Sequence, residues 1–158
     1  MTAMRAILLA PLALVMFAGH AWAEEETLTF RLVTRQLTGE FFDAANVEGH
    51  AVGAGHYAGV AIFEDGRVAY KDFVLHVDNR GPEGSFGGYS TYTFQNGDSL
   101  TLKFTGGWGA DGEGGDYEVL SGTGAYEGAT GSGRFDAVEE PWEGANLYDV
   151  TLNVNRGG

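Results

Sequence analysis

The chain has 158 residues, a formal net charge of −13, 22 acidic side chains against nine lysines and arginines, and no cysteine. That balance repels phosphate backbones and anionic headgroups, which argues against nucleic acid and acidic membrane surfaces as partners. Without cysteine there are no thiol nucleophiles, thiolate metal sites or disulfide staples, so the core alone must hold the fold.

Residues 1–23 read as a cleaved signal peptide. Arg5 supplies the positive start, Ala6 to Ala18 an apolar run, and Ala21-Trp22-Ala23 the small-x-small pattern of a cleavage site. The run falls short of the roughly 20 residues a membrane span needs. The expectation is therefore a periplasmic or secreted protein whose residues 24–158 form a single domain without stable membrane insertion. All 22 acidic residues but only eight of the nine basic ones lie after position 23, so that domain carries −14.

From there helical periodicity is almost absent, and short β-rich runs alternate with turn signals every few residues. The first run is Thr27 to Leu37, with Leu28, Phe30 and Leu32 on one face. Gly39 to Gly55 carries no readable pattern. His56 to Phe63 and Val68 to Val77 flank Asp65-Gly66, a signal for a tight two-residue hairpin with positive φ at both central residues. Asn79 to Gly87 reads as a loop around Pro82. Tyr89 to Gln95 and Ser99 to Thr105 form a second hairpin about Asn96-Gly97, with Tyr92 and Phe94 opposed to Tyr89, Thr91 and Thr93. Gly106 to Gly115 reads as a flexible loop, which places Trp108 in a loop, as Trp142 also is.

Tyr117 to Leu120 and Thr130 to Ala137 flank the glycine-punctuated block Ser121 to Phe135, the corner of an all-β structure with Tyr126 and Phe135 as packing residues. The last run, Leu147 to Asn155, turns Tyr148, Val150, Leu152 and Val154 to one face. About eight strands with an apolar side predict a closed antiparallel eight-stranded β-barrel, since closure removes exposed edges. A β-sandwich is the alternative. A barrel of this size encloses room for side chains or for one small ligand.

Three stretches in order, Gly88 to Asp98 with its partner Leu100 to Gly106, Val119 to Phe135 with its Gly-x-Gly-x-Tyr turn, and Leu147 to Val154, resemble the allene oxide cyclase barrel family, which is related to the plant dirigent proteins. The resemblance spans roughly residues 57–155 and implies a closed eight-stranded barrel, often found as homo-oligomers. It does not carry over the plant cyclases' catalytic residues. Their first-strand glutamate has no counterpart in Leu28 to Thr34, and their cysteine has none anywhere.

Other constellations are weak. His50, His56 and His76 match no metal-ligand spacing, and Asp111, Glu113 and Asp116 lack the order of an EF-hand loop. The glycine pairs precede no helix that could receive a phosphate, and no serine sits in a nucleophile elbow. No catalytic residue, metal or cofactor is assigned. What remains is aromatic content on strands. Phe30, Tyr57, Phe63, Tyr92, Phe104 and Trp108 are the candidate ligand-binding residues, with ordinary core filling as their other reading. The expectation is a barrel that binds a small hydrophobic molecule in its lumen without turning it over. Two alternatives stay open: a cyclase or isomerase that confines a reactive apolar substrate, and a scaffold barrel with a filled core.

Overall fold

In the computed structural model residues 24–139 and 142–157 are described, so the expected leader at residues 1–23 lies outside the described residues. Eight strands follow in chain order: β1 (Glu25–Asp43), β2 (Ala51–Phe63), β3 (Val68–Asn79), β4 (Gly84–Phe94), β5 (Ser99–Gly109), β6 (Gly112–Thr123), β7 (Thr130–Val138) and β8 (Asn146–Asn155). Each pairs antiparallel with its sequence neighbours, and β1 pairs with β8 from Glu25↔Asn155 to Thr34↔Asn146, closing the barrel. The sandwich alternative is thereby excluded.

Alternation decides which residues fill the interior. Leu28, Phe30 and Leu32 of β1, Tyr92 and Phe94 of β4, Leu100, Leu102 and Phe104 of β5, and Val150, Leu152 and Val154 of β8 are all buried. On β3 the inward set is Ala69, Lys71, Phe73, Leu75 and Val77. The glycine block forms the corner expected of it. A single 3₁₀ turn, Gly124–Tyr126, drops the Tyr126 ring into the core beside Phe94, with ring centroids 5.1 Å apart.

Two bulges break the alternation. Between Gln36 and Thr38 the β1–β2 register slips by one, leaving Leu37 without a partner. The slip exchanges the two faces of β1 beyond that point, so that Phe41 turns toward the mouth of the barrel. A second slip, opposite Thr101 and Leu102, ejects Leu120 of β6 to the surface.

Three expectations need correction. Gly39 to Gly55, patternless in sequence, is the far half of a long β1–β2 hairpin, unreadable because glycines and the bulge interrupt its period. Gly106 to Gly115 is no flexible loop. It is the continuation of β5 and β6 around a tight turn, and it puts Trp108 on a strand. Most of Asn79 to Gly87 likewise belongs to β3 and β4, leaving a short turn around Pro82. In each case small residues that favour turns in isolation are held extended by the strand they pair with.

Both expected hairpins form, by a different turn. Gly66 donates to the Phe63 carbonyl and Gly97 to that of Phe94, while Phe63 and Phe94 donate to Arg67 and Asp98. These are three-residue loops, a type I turn followed by one left-handed glycine. Positive φ is confined to Gly66 (89°) and Gly97 (91°), and Asp65 and Asn96 do not share it.

The end of the barrel holding these hairpins is sealed. Arg67 reaches in over the rings of Phe63 and Phe94 and donates to Tyr126 Oη at 2.7 Å and to Glu26 at 2.7 Å. Arg156 donates to the other Glu26 oxygen and lies over the Tyr126 ring. Burial works against ionisation of Glu26, but hydrogen bonds from Arg156 and Arg67 outweigh it and hold its carboxyl below the ordinary value.

Gly97→Ala should cost about 1–2 kcal/mol, because a Cβ at positive φ is strained whatever the space around it. A urea unfolding curve checks this, and the same change at Gly109, whose φ is not positive and which has open space, should cost less.

Candidate functional site

The opposite end is open. A cavity of about 230 Å³ descends from it into the upper half of the barrel. That is below the roughly 300–1,000 Å³ usual for drug-sized ligands, and it suits a small molecule. Its wall is aromatic. Phe86 stacks on Trp108 with ring centroids 6.4 Å apart and planes 12° apart, Phe135 packs edge-on against Tyr148 at 5.7 Å, and Tyr57 stacks on Phe73 at 5.2 Å. Phe41 borders it from the extended tip of β1.

Polar groups interrupt this wall at two heights. Toward the mouth, Tyr148 donates to Glu113 Oε1 at 2.6 Å. Tyr57, on the same lining, has its phenol pushed up by burial and then by the charge of Glu113. At the floor lies Lys71, 3% exposed. Its Nζ donates to Tyr117 Oη at 2.8 Å, and that hydroxyl lies 3.1 Å from Tyr92 Oη.

Four rings surround the amine. The centroids of Phe73, Phe104, Tyr117 and Tyr92 stand 4.3, 5.1, 5.1 and 5.2 Å from Nζ. Ring faces favour a cation, yet they do not replace its hydration. Among the described residues no carboxylate forms an ion pair with Lys71, and burial lowers its pKa from 10.5 to about 7. The same burial pushes the Tyr92 phenol well up and that of Tyr117 above its ordinary value. Ser90, across the ladder from Phe73, has a buried hydroxyl without a hydrogen-bond partner among the described residues.

The six expected binding residues divide by height. Tyr57, Phe104 and Trp108 line the cavity. Tyr92 does not line it but packs beneath the floor, its ring centroid 5.2 Å from the Lys71 amine. Phe30 and Phe63 do not reach it. They pack on each other in the sealed half, with centroids 4.5 Å apart, because alternation fixes which way a side chain points and not how far along the barrel it stands. Trp142 is exposed in the β7–β8 connection.

His50 pairs with Asp78 at 2.6 Å and His56 with Asp72 at 2.9 Å, and His76 is exposed. Sequence reasoning passed over Lys71. The available signal was that a register placing Phe73, Leu75 and Val77 inside must carry Lys71 inside with them.

No protein-family model matches the chain, and no curated protein matches its sequence. Solved structures do match its shape. A pterocarpan synthase dirigent protein superposes with a TM-score of 0.61 at 13% identity, covering 93% of this chain and all of that one. The fold is that of a dirigent-like barrel. A protein of the DUF3224 family from Shewanella oneidensis, of unknown function, matches at TM-score 0.54 and 18% identity, over 82% of this chain and 96% of its own. A nonspecific heme-binding cyclase that catalyses a [4 + 2] cycloaddition in neoabyssomicin biosynthesis matches at TM-score 0.55 and 15% identity, over 89% and 71% of the two chains. At these identities the likeness concerns fold, and function has to be argued from the cavity.

Lys71 sets a pH dependence. Its folded pKa of about 7 lies below the ordinary 10.5, so the unfolded chain binds more protons between those values. Stability should rise with pH through that window, by at most about 1.4 kcal/mol per pH unit. Above about pH 10 the raised phenols of Tyr92, Tyr117 and Tyr57 reverse the trend, because the unfolded chain then releases protons that the native one keeps. Urea midpoints from pH 7 to 10 check this, and Lys71→Met should flatten the rise.

Proposed function

We propose that this barrel binds a small apolar, preferably aromatic, molecule in its lumen. The observation that carries the reading is the cavity itself: open at one end, walled by rings, and floored by a buried amine without a counter-charge among the described residues. An apolar wall with a few convergent polar groups is the usual composition of a small-molecule site. A filled scaffold barrel would have no use for Lys71, which costs stability in proportion to its desolvation.

Confinement of a reactive substrate is the second reading. The buried Lys71, Tyr117 and Tyr92 hydrogen-bonded chain supports it, because these groups could hold one conformer and exchange protons with it. The dirigent and cyclase neighbours suit it as well. Export to a periplasmic or extracellular site is proposed on the leader pattern of residues 1–23.

Native mass spectrometry of protein expressed with its own N-terminus tests both proposals. The expected result is a chain starting at Glu24 that retains apolar mass or takes up naphthalene-sized probes with micromolar affinity. Val77→Trp, which fills the cavity, should abolish uptake, while Val74→Trp on the outer face of the same strand should leave it intact. Equal uptake by both variants would place binding outside the lumen.

A further inference from the structure

We propose that Lys71 captures the carbonyl group of its ligand as an imine, so that the cavity selects small apolar aldehydes or ketones. The inference rests on the lumen-binding reading and names the chemistry of its floor. An amine forms an imine when it is neutral, reachable from the ligand space and close to a group that can move protons. Lys71 lines the cavity, and the Tyr117 hydroxyl is within 2.8 Å of its nitrogen. The lowered basicity that burial imposes leaves a neutral fraction near pH 7.

The ligand's head group follows from charge. Glu113 lines the same cavity and the chain carries −13, so an apolar acid would meet a carboxylate on its way in. A carbonyl is neutral and meets no such barrier. The body follows from the wall, where Phe73, Phe86, Phe104 and Phe135 offer faces and edges for one or two aromatic rings.

The step balances without a further reactant. The Nζ lone pair attacks the carbonyl carbon, a C–N bond forms, and the C=O π pair moves to oxygen. Tyr117 gives its proton to that oxygen as it takes one from nitrogen, so the phenol carries no full charge at any point. This relay agrees with a hydroxyl whose ionisation burial opposes and which is hydrogen-bonded on its far side to Tyr92. The resulting carbinolamine loses its hydroxyl as water by the same relay while nitrogen forms the C=N bond. One carbonyl compound and one amine give one imine and one water.

The test uses 2-naphthaldehyde with sodium cyanoborohydride, read by intact mass and peptide mapping, beside equilibrium binding of naphthalene, 2-naphthalenemethanol and 2-naphthoic acid. The expected outcome is one reduced adduct on Lys71, formed at least tenfold faster than on Lys103, the exposed lysine of β5. Lys71→Met and Lys71→Arg, which lack the nucleophilic amine, should form no adduct above the Lys103 rate, and naphthalene binding by the unsubstituted chain is the reference for the lumen. Lys71→Arg fixes a permanent cation at the same place, so the absence of adduct there shows that charge does not stand in for a neutral amine.

Naphthalene binding with adduct spread evenly over the lysines would overturn the imine and leave the lumen reading standing. Binding of 2-naphthoic acid tenfold tighter than the alcohol would overturn it in favour of an anion site. Failure of naphthalene itself to bind would remove the lumen reading and the imine with it.

Discussion

Closure of the sheet through the β1–β8 ladder is the constraint on which the remaining structure depends. Once ten consecutive residue pairs join the first strand to the last, β1 and β8 have no free edge along that ladder, and the side chains there are committed to lumen or surface. Eight strands fix a bore that ordinary side chains can fill. The sealed half does so, with Phe30, Phe63, Phe94 and Tyr126 packed ring against ring beneath the Arg67, Glu26 and Arg156 cluster. The upper half is lined by rings of similar size and is left partly empty.

Two features keep it so. The extension of β1 beyond Thr34 has lost its β8 partner and continues against β2 alone, so the wall is incomplete at that rim. Gly88, buried on β4, offers no side chain beside Phe104. A Cβ there would stand 2.8 Å from the Phe104 ring and 2.0 Å from the Val74 carbonyl. Phe104 occupies that space, and its edge forms part of the floor around Lys71. Burial of the amine works against the fold, because it removes the charged form from water. Its position among four rings, with a phenol as its hydrogen-bond partner, explains how the barrel tolerates it in the neutral form.

The fold was legible in the sequence because antiparallel strands write their burial as alternation. Leu100, Leu102 and Phe104 against Thr101 and Lys103 left little choice of face. Legibility failed where alternation failed. The Leu37 bulge reversed the inward face of β1, and glycines in β2, β5 and β6 removed the side chains that carry the pattern. The site was less legible, since a cavity depends on height along the barrel, a property set by strand stagger and hardly at all by any one segment. Tyr57, Phe104 and Trp108 could be drawn from aromatic content, while Glu113 lay in a segment that read as a solvated loop. Lys71 gave no signal of its own, since a lysine between Tyr70 and Asp72 shows its inward direction only once the register of Phe73, Leu75 and Val77 is known.

The sealed end has a topological consequence. Arg156 donates its backbone N–H to the Glu24 carbonyl at 2.9 Å, so the first and last strands enter and leave the barrel side by side, on the face away from the cavity. Adjacent ends of this kind are the condition for circular permutation. A short linker from residue 156 to residue 24, with new ends cut at the Ala110-Asp111 turn, would keep every strand pairing and bring the polypeptide's ends to the rim of the mouth. Reporter groups or surface anchors could then be attached beside the ligand's entrance or at the opposite pole, with the barrel wall unchanged between them.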